Sequence, residues 1–560
     1  MEMRGEYNYM KMSGSKIILK TLRENNVDTL FGYPGGAVIP LYDALYDEIE
    51  YFNHIRPAHE QHMIHAADAY ARTTGKVGVA IATSGPGATN TVTGIATAYM
   101  DSVPLVVITG QVPNMLLGKD SFQEVDITGM TIPITKHNYL VRKVENLAEV
   151  VDEALEVAAE GRPGPVLIDV PKDVFLAETE YKKPEGKRKQ KPVEVPSEDL
   201  LERAAELINK SKKPVVYAGG GVRISQNDEL LQKLVEKNDI PTANSFMGYG
   251  TIPREHRLSL GLVGMHGHKE TNLAVTESDL IIAIGARFSD RVIGKPDEFA
   301  PKAKIIHIDI DGTEIDKNTK DCVPLIGEMK KILEKLVEKV SKNSREDWLK
   351  EILSNKIEEP DKSLFVPKNI LEKTNEYYSE NTIVATDVGQ HQMWTGQFWK
   401  FKKSNEFVTS GGLGTMGYGL GAAIGAKVGN PKKDVVLITG DGSFKMNSGE
   451  LLTLARYNLP VRMIMLNNNA LGMVRQWQRM FSNSRYSETT NKDYVDNVKL
   501  MDAYGIKGYV VKSMKELDKV LEKTRNLEEP IFIECKIDQE ESVYPIVPPG
   551  RPINELLLNG

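Results

Sequence analysis

The chain is 560 residues long, which predicts roughly three or four domains because one hydrophobic core rarely serves more than about 200 residues. Hydrophobic residues make up 41% and charged residues 26% of the chain, a balance typical of a folded globular protein rather than a disordered one. The 70 Lys and Arg against 77 Asp and Glu give a net charge of −7. This charge excludes a chain that binds nucleic acid or an anionic membrane through bulk positive charge.

Cysteine usage and hydropathy favour a cytoplasmic protein. The two cysteines, Cys322 and Cys535, are too few for a disulfide framework or a four-thiolate metal site, and they fit a reducing compartment. The sequence lacks a run of about 18 apolar residues, so we expect no membrane-spanning helix. The polar N-terminal residues do not resemble a secretory signal.

Short apolar runs rich in β-branched residues alternate with helical patterns along the whole chain. The runs are, in chain order, 77–85, 104–110, 165–171, 214–221, 280–288, 303–311, 382–389, 434–442, 461–469 and 530–538. Their nearly continuous hydrophobicity predicts strands that are buried on both faces, as in parallel sheets. We therefore predict an α/β fold with three doubly wound parallel-sheet domains.

Two charged, proline-bearing stretches without an apolar period divide the chain. We predict linkers at 179–197 and 341–364, although part of the second stretch has a helical pattern. The predicted domains are then 1–178, 198–340 and 365–550, followed by a tail at 551–560.

A group of polar residues follows two apolar runs of the last domain. Gly440, Asp441 and Gly442 come directly after one run, and Asn468 follows the next, with a helical pattern between them. Ligands bind at the carboxyl ends of parallel strands, and carboxylate and amide oxygens suit Mg²⁺. Glycine lets the backbone approach phosphate oxygens. The spacing predicts a site for Mg²⁺ and a diphosphate, whereas a Gly-Asp-Gly alone would only indicate a turn.

Longer motifs link this site to a known family. They are YPGGA (33–37), TSGPGATN (83–90), TAYMDSVPLVVITGQVP (97–113), GRPGPVLIDVPKD (161–173), GMHG (264–267), TDVGQHQMW (386–394) and SGGLGTMGYG (410–419). Together with the Gly-Asp-Gly and Asn-Asn pair, they make the chain similar to the catalytic subunits of acetohydroxyacid synthases, also called acetolactate synthases. The resemblance extends from about residue 12 to about residue 550.

The resemblance implies a transferase that depends on thiamine diphosphate. Such an enzyme decarboxylates pyruvate and joins the two-carbon unit to a second 2-ketoacid, either pyruvate or 2-ketobutyrate, in branched-chain amino-acid biosynthesis. It implies thiamine diphosphate, Mg²⁺ and a structural, non-redox FAD as cofactors. It also implies a homodimer or homotetramer with active sites at the subunit interface, and a possible small regulatory subunit.

The same resemblance assigns a role to each domain. Residues 1–178 would bind the pyrimidine ring of the cofactor, 198–340 would bind FAD, and 365–550 would bind the diphosphate and Mg²⁺. The implied contacts with thiamine diphosphate are Gly36, Glu60, Gln390, His391, Gly414, Met416, Gly440, Asp441, Gly442, Ser443, Asn468, Gly472 and Met473. The implied metal ligands are Asp441, Asn468 and the backbone carbonyl of Ala470.

Two of these residues would act on the cofactor rings. Glu60 would hold and share a proton at N1′ of the aminopyrimidine, which favours the tautomer that can deprotonate the thiazolium. Met416 would lie between the two rings and keep them bent, so that the proton transfer is intramolecular. Taken alone, Glu60 would be interpreted as a solvated helix residue and Met416 as core filling.

The second 2-ketoacid needs a cation for its carboxylate, which the fork of an arginine supplies. The resemblance assigns this role to Arg291, with Trp477 shaping the pocket for the acceptor's alkyl group. A pocket wall of this kind discriminates an ethyl from a methyl group by only about 1–3 kcal/mol. Gln123 and Lys136 also match catalytic positions of the family. Without the resemblance, Arg291 would be interpreted as a surface ion-pair residue.

Glycine-rich segments of the middle domain match the family's FAD contacts. These positions are Gly219, Gly220, Gly221, Gly264, Met265, His266, Gly285, Ala286, Arg287, Asp309 and Ile310. The segment contains no clean GxGxxG motif, and glycine-rich strand ends also suit an empty, vestigial domain. Both interpretations remain open from the sequence.

Three positions depart from the family pattern. Ala58 stands where an arginine is common, Ser289 where an aspartate is usual, and Gly421 where a proline is common. Four nearby histidines, His54, His59, His62 and His65, suggest a metal site. However, the second histidine of a zinc-binding HExxH helix falls one residue early, so we expect no metal there.

Alternative functions remain within and outside the family. The chain could be another thiamine-diphosphate enzyme of 2-ketoacids, such as a pyruvate oxidase, a decarboxylase or a fermentative acetolactate synthase. The adjacent His-His pair of the decarboxylases is absent from the sequence. A non-catalytic nucleotide-binding protein on the same fold is a further alternative, because fold alone does not define function.

Overall fold

The structure is a computed structural model that describes residues 11–185, 195–378, 380–491 and 495–559. The described residues form two compact units. The first unit comprises the described part of Met1–Gln190 with Ser410–Pro431 and Asn447–Leu459, and the second comprises the described remainder. Residues 186–194 of the predicted linker at 179–197 lie outside the described residues.

The first third of the chain alternates strands and helices. Its strands are β1 (Lys11–Ser13), β2 (Thr29–Gly32), β3 (Asn53–Ile55), β4 (Gly78–Ala82), β5 (Leu105–Gln111), β6 (His137–Leu140), β7 (Pro165–Pro171) and β8 (Glu178–Glu180). Its helices are α1 (Gly14–Glu24), α2 (Ile39–Asp47), α3 (Glu60–Thr74), α4 (Pro86–Thr89), α5 (Val92–Met100), α6 (Ile127–Thr131), α7 (Leu147–Ala159) and α8 (Lys172–Leu176). Strands β2 to β7 form a parallel sheet in the order β3-β2-β4-β5-β7-β6, and β1 pairs antiparallel with β8.

The middle third forms a second parallel sheet. Its strands are β9 (Pro214–Ala218), β10 (Thr242–Asn244), β11 (Ser259–Leu262), β12 (Leu280–Ile284), β13 (Lys304–Asp309) and β14 (Val323–Ile326). Its helices are α9 (Glu198–Lys210), α10 (Gly220–Ile224), α11 (Asp228–Asn238), α12 (Lys269–Glu277), α13 (Asp290–Ile293), α14 (Met329–Lys339) and α15 (Glu346–Leu353). The order is β11-β10-β9-β12-β13-β14, which is the 3-2-1-4-5-6 order of dinucleotide-binding folds.

The last third forms the third parallel sheet. Its strands are β15 (Thr382–Thr386), β16 (Phe407–Val408), β17 (Asp434–Gly440), β18 (Val461–Asn467), β19 (Lys507–Val511) and β20 (Ile531–Lys536). Its helices are α16 (Pro367–Tyr377), α17 (Gln390–Phe398), α18 (Gly419–Gly429), α19 (Asp441–Asn447), α20 (Leu451–Arg456), α21 (Gly472–Phe481), α22 (Asn497–Ala503) and α23 (Met514–Thr524). The order β16-β15-β17-β18-β20-β19 repeats the relative order of the first sheet.

Short 3-10 helices occur between the main elements. They are Asn114–Leu116, Ile132–Ile134, Val144–Asn146, Phe246–Gly248, Pro296–Glu298, Gly312–Glu314 and Ser448–Glu450. The central strands β4, β5, β7, β12 and β18 are buried along their whole length, as the continuous apolar runs predict. The expected fold of three doubly wound parallel-sheet domains is therefore confirmed, whereas the exact domain boundaries stay a prediction.

Helix α18 packs against α3 inside the first unit, although it comes from the last third of the chain. Gly421, Gly425 and Gly429 follow each other at every fourth position of α18. A Cβ at position 425 would lie 1.8 Å from the carbonyl oxygen of Ala66, and one at position 421 would lie 2.7 Å from that of His62. Gly421, a departure from the family pattern, is thus a position where the backbones of two helices come close together.

Residues of the predicted linker at 341–364 and of the predicted tail at 551–560 are buried in the core of the middle sheet. The predicted linker at 341–364 contains α15, whose Trp348, Leu349 and Ile352 are buried in the core of the middle sheet. In the predicted tail, Ile553 is buried in the same core, and its carbonyl accepts a hydrogen bond from Asn272. Among the residues that the structure describes, none of the helices is both long enough and apolar enough to cross a membrane.

Candidate active site

Three neighbouring strands of the third sheet end at one polar edge. Strand β15 pairs with β17, and β17 pairs with β18. Gln390 and His391 begin α17 after β15, Asp441 begins α19 after β17, and Asn468 follows β18. All four side chains are buried. The structure thus brings the predicted diphosphate and metal residues together at the carboxyl edge, where open α/β sheets bind ligands.

Asp441 is a buried carboxyl at this edge. Burial raises the pKa of Asp441 above its ordinary value, and the hydrogen bond from Asn491 only partly offsets this effect. The Asn491 Nδ2 donates to Asp441 Oδ2 over 2.6 Å. A carboxylate offers about four acceptor positions on its two oxygens, so one such bond still allows a cation to bind. A bound cation would favour the charged form that burial disfavours.

Asn468 is held by its amide group. Its Nδ2 donates to Gln390 Oε1 over 3.1 Å, and its Oδ1 accepts from the backbone amide of Ala470 over 3.2 Å. Gly472 faces this pair, because a Cβ there would lie 2.0 Å from Gln390 Oε1 and 2.6 Å from Asn468 Nδ2. The predicted contact Gly472 is therefore required for the contact between Gln390 and Asn468.

Gln390 also connects the edge to the C-terminal segment of the chain. Its Nε2 donates to Gln476 Oε1 over 3.0 Å and to the carbonyl of Glu541 over 2.9 Å. Gln476 accepts the amide of Val543 and donates to the carbonyl of the same residue. Both polar atoms of the Gln390 side-chain amide thus have hydrogen-bond partners, which fix the orientation of the amide.

His391 carries a buried nitrogen without a hydrogen-bond partner, Nε2. Burial lowers the pKa of His391 to about 3, so the ring is neutral at physiological pH. A Cβ at Gly440 would lie 2.7 Å from His391 Nδ1, so the glycine admits the ring. A buried polar atom without a partner is costly in a folded protein, and a bound ligand that donates a hydrogen bond would satisfy Nε2.

Two further predicted contacts lie beside this edge. The Ser443 hydroxyl donates to the carbonyl of Val388 over 2.6 Å. Met473 is half-buried and packs against the core of the third sheet. These side chains support the ends of β15 and α21.

Glu60 lies in the first unit, as the first residue of α3. It is half-buried, and its Oε2 accepts a hydrogen bond from Asn90 Nδ2 over 3.0 Å. A Cβ at Gly87 would lie 3.3 Å from Glu60 Oε1. Gly36 is exposed, and the space around it is open. The carboxyl thus faces the glycine-containing loop after β4, and the space beside Gly36 is available to a ligand.

The loop that carries Gly414 and Met416 belongs to the same unit as Glu60. Gly414 and Gly417 have positive φ angles of 70° and 88°, a conformation that favours glycine. Met416 between them is half-buried rather than part of the core. Met416 is therefore not a fully buried core residue, and its role stays a prediction.

Asp101 at the end of α5 fixes the start of this loop. Its Oδ2 accepts from the amide of Gly411 over 3.0 Å, and its Oδ1 accepts from that of Gly412 over 2.7 Å. Buried Arg72 donates to Asp101 Oδ2 over 2.9 Å. One turn earlier in α5, the Thr97 hydroxyl lies 2.7 Å from the Thr415 hydroxyl. These bonds define the backbone from which the Met416 side chain projects.

Gln123 and Lys136 have different surroundings. Gln123 has a positive φ of 61° and packs over Gly85, where a Cβ would lie 2.9 Å from its carbonyl oxygen. Lys136 directly precedes β6 and lies where the strands of the sheet begin, whereas Gly36 follows β2 at the carboxyl ends of the strands. Its ammonium donates to the carbonyl of Glu160 over 2.6 Å, and burial lowers its pKa. Within one chain, Lys136 is not brought next to Glu60.

Arg291 and Trp477 are accessible side chains of the second unit. The Arg291 side chain is 62% exposed, and its nearest carboxylate oxygen, on Asp290, is 3.7 Å away. Its Nη1 lies 3.3 Å from the sulfur of Met265. The Trp477 ring contacts Phe481 edge to face, and Val474, on the same face of α21, is 50% exposed. Arg291 is thus exposed and Trp477 half-buried, so both residues predicted to bind the second 2-ketoacid present some side-chain surface.

The predicted FAD contacts lie at the carboxyl edge of the middle sheet. Gly219, Gly220 and Gly221 follow β9, Gly264, Met265 and His266 follow β11, Gly285, Ala286 and Arg287 follow β12, and Asp309 and Ile310 end and follow β13. Strands β9 and β12 are neighbours at the point where the strand order reverses. Dinucleotides bind at this point in doubly wound sheets.

Close packing between two of these loops explains several of the glycines. A Cβ at Gly219 would lie 2.1 Å from the carbonyl oxygen of Gly285, and one at Gly285 would lie 2.6 Å from Cα of Gly221. Next to them, Ile310 is 40% exposed. His266 has an unpartnered buried Nδ1, and burial lowers its pKa to about 4. The edge therefore combines close backbone packing with surface that a ligand can reach.

The described residues contain no group of three or more His, Cys, Asp or Glu side chains that could hold a metal ion. His54 lies 3.1 Å from the Tyr42 hydroxyl, His59 caps α3, and His62 lies 3.2 Å from Glu450. His65 is fully buried, which lowers its pKa well below the ordinary value. The predicted Mg²⁺ ligands, two side chains and a carbonyl, are a different kind of set.

The sequence did not identify several residues that hold the site. Asn491 and Gln476 come from distant parts of the chain and contact Asp441 and Gln390. Their types and spacing carry no local signal. Asn90 does carry a sequence signal, because it ends the TSGPGATN motif, which precedes the start of α5.

Comparisons with known proteins agree with the fold. Family models of the thiamine pyrophosphate enzymes match the N-terminal domain at residues 12–130, the central domain at 201–336 and the C-terminal domain at 387–535. The N-terminal and C-terminal models are described as thiamine pyrophosphate-binding domains. Fold and site therefore define a thiamine pyrophosphate enzyme.

Similar proteins narrow this class. The chain is 46% identical to the "Probable acetolactate synthase large subunit" of Methanocaldococcus jannaschii, over 98% of this chain and 95% of that protein. It is 44% identical to the acetolactate synthase large subunit of Lactococcus lactis, over 97% and 96%. It is 43% identical to an acetolactate synthase of Arthrospira platensis, over 98% of both. The chain belongs to the acetolactate synthase large-subunit family.

Proposed function

We propose that this chain catalyses the acetolactate synthase reaction, in which pyruvate is decarboxylated and its two-carbon unit is joined to a second 2-ketoacid. The observation that carries the proposal is the buried edge of Gln390, His391, Asp441 and Asn468. The names of the relatives, all acetolactate synthases, support the reaction. Thiamine diphosphate, when bound, supplies the electron sink that makes decarboxylation of a 2-ketoacid possible.

Asp441, Asn468 and the carbonyl of Ala470 would hold Mg²⁺ beside the diphosphate. The donor set fits a hard cation that takes oxygen ligands and shares its coordination sphere with phosphate groups. The raised pKa of Asp441 supports this role, because the cation offsets the cost of the buried charge. His391, whose buried Nε2 has no partner, would lie beside the diphosphate.

Glu60 would hold a proton at N1′ of the pyrimidine ring. The hydrogen bond from Asn90 to Oε2 fixes the carboxyl, while Oε1 remains directed toward the loop at Gly87. Met416 would support the bent cofactor from a loop that Asp101 holds in place. Both roles follow the family resemblance, and the two residues lie in the same compact unit.

Arg291 would bind the carboxylate of the second 2-ketoacid, and Trp477 would contact its alkyl group. The exposed guanidinium supports the first role, because its ion pair with Asp290, 3.7 Å long and exposed to solvent, is weak and can be exchanged for a ligand carboxylate. Gln123, in the segment between β5 and α6, would lie near the reacting groups. Lys136 would contribute to the active site of a neighbouring subunit. Within its own chain it lies at the amino ends of the strands, opposite to the side of Gly36.

FAD would bind at the carboxyl edge of the middle sheet with a structural role. The strand order and the glycine-containing loops after β9 and β12, the two strands at the reversal point, support a dinucleotide site. The net reaction moves no electrons, so the flavin would stabilise the fold rather than change its oxidation state. Bound FAD would also distinguish this chain from the fermentative acetolactate synthases, which lack FAD.

We further propose that at least two chains assemble to form the active sites, with a regulatory subunit as a possible additional partner. Mixing the inactive variants Glu60→Gln and Asp441→Asn tests the shared site. If each site combines Glu60 of one chain with Asp441 of another, each mixed dimer has one intact site of its two, so an equal mixture after exchange regains about a quarter of the wild-type activity. No recovery after verified subunit exchange would contradict a shared site.

The reaction itself is tested by product analysis. The purified chain is incubated with thiamine diphosphate, Mg²⁺, FAD and pyruvate, with and without 2-ketobutyrate. The proposal expects acetolactate, and 2-aceto-2-hydroxybutyrate when the second ketoacid is present. Acetaldehyde as the only product would indicate a decarboxylase, and stoichiometric flavin reduction with acetate would indicate a pyruvate oxidase.

A further inference from the structure

Glu450 is a completely buried carboxyl whose hydrogen bonds converge on the start of α3. Its Oε1 accepts from the backbone amides of Ala58 over 3.0 Å and His59 over 3.1 Å. Its Oε2 also lies 3.0 Å from the Ala58 amide and accepts from the Thr453 hydroxyl over 2.7 Å. These two amides directly precede Glu60, the first residue of α3.

Glu450 supplements the local capping of this helix. His59 is the N-cap, and its Nδ1 accepts from the amide of Gln61 over 3.1 Å. The first amides of a helix lack partners within the helix and carry a partial positive charge. Glu450 provides an acceptor for the preceding amides, although it lies 392 positions away from Ala58 in the chain. A buried carboxyl is tolerated where such donors surround it.

The helix that follows Glu450 holds the same segment at a second point. The amide of Arg56 donates to the Tyr457 hydroxyl over 2.9 Å, and Arg456 Nη1 donates to the carbonyl of Arg56 over 3.0 Å. Residues 56–59 are therefore bound through their backbone to residues 450–457. Ala58, where an arginine is common in the family, takes part through its amide and not through its side chain.

We propose that Glu450 is a positioning residue for Glu60. It fixes the two peptide groups before Glu60 and so sets the direction of the carboxyl that Asn90 contacts. Its complete burial prevents direct contact with cofactor or substrate. The inference rests on the proposed function, because the position of Glu60 matters for catalysis only if Glu60 acts on the pyrimidine ring.

Hydrogen exchange of the cofactor-free protein tests the structural half of the proposal. In Glu450→Ala, the amides of Ala58 and His59 should exchange about tenfold faster or more, because they lose their acceptor. Glu450→Gln keeps one acceptor oxygen and should give an intermediate increase. Leu452→Ala changes an exposed side chain of α20, two residues after Glu450, and should leave this exchange unchanged. Unchanged exchange in the alanine variant would overturn the proposal.

Kinetics of the loaded enzyme test the catalytic half. With cofactors saturating, Glu450→Gln should lower kcat by about tenfold with little change in KM for pyruvate. The same variant should slow exchange of the thiazolium C2 proton in bound thiamine diphosphate. An unchanged C2 exchange rate despite faster amide exchange would overturn the positioning role. If wild-type protein makes no acetolactate, the proposed function fails, whereas the amide exchange still decides whether Glu450 holds the start of α3.

Discussion

The amide of Asn468 donates to Gln390 Oε1 across the carboxyl edge of the third sheet, over 3.1 Å. This hydrogen bond joins the end of β18 to the start of α17, and through Gln476 it extends to Val543. Two of the predicted cofactor contacts, Gln390 and Asn468, thus belong to one hydrogen-bonded group. Small displacements in this group should change the binding of the anionic cofactor.

Gly472→Ala should weaken the binding of Mg²⁺ and thiamine diphosphate. The added methyl group would overlap with Gln390 Oε1 and separate it from Asn468. Loss of supporting hydrogen bonds around a metal site lowers its affinity about 10- to 100-fold. Titration of the protein with Mg²⁺ and thiamine diphosphate measures the change. Gly449→Ala, at a position with open space around it, is the matched control, and equal affinities of the two variants would contradict the prediction.

Gly425→Ala should destabilise the first unit. The Cβ would lie 1.8 Å from the carbonyl oxygen of Ala66, and neither helix backbone can yield without losing contacts. Overpacking of this kind costs about 1–3 kcal/mol of the free energy of unfolding. Denaturant unfolding measures the change. Gly312→Ala, whose Cβ would make ordinary contacts of 3.4 Å with Ile326, should be nearly neutral.

Asp169 should make stability depend on pH. Burial, only partly offset by hydrogen bonds from Thr109 and Gln111, raises the pKa of Asp169 to about 7. Between the unfolded value of about 3.9 and pH 7, the unfolded chain releases this proton while the folded chain keeps it, so the free energy of unfolding falls as pH rises.

Asp169→Asn should flatten that slope and raise stability above pH 7 relative to the parent chain. The asparagine can still accept from Gln111 and donate to the Thr109 hydroxyl. Urea unfolding at several pH values is the measurement, and Asp43→Asn on the exposed face of α2 is the control. An unchanged slope in Asp169→Asn would show that Asp169 does not titrate in this range.

Arg291→Gln should impair the use of the second 2-ketoacid more than the decarboxylation of the first. The lost bond between guanidinium and carboxylate should lower kcat/KM for the acceptor by about 10- to 100-fold. The ratio of acetaldehyde to acetolactate should rise accordingly. Lys295→Gln, which removes another exposed cation close by in the chain, should leave the ratio unchanged. A uniform loss of both products would argue against the role of Arg291.

The sequence predicted the central strands because their apolar runs are long and buried on both faces. It did not predict edge strands such as β6 and β19, whose side chains are mostly half-exposed and whose polarity is mixed. Asp441 and Asn468 were predictable because both follow strong strands. Glu450 and Asp101 were not, because their partners are backbone amides of distant segments.

The proposed reaction is tested most directly by identifying the product of isotopically labelled pyruvate. The purified chain is supplied with thiamine diphosphate, Mg²⁺ and FAD, and the labelled products are followed by nuclear magnetic resonance. An acetolactate synthase should give acetolactate as the main labelled product, and unlabelled 2-ketobutyrate should divert label into 2-aceto-2-hydroxybutyrate. Glu60→Gln should greatly lower the rate at which both products form. Acetaldehyde or acetate without acetolactate, from a protein that binds its cofactors, would contradict the proposed function.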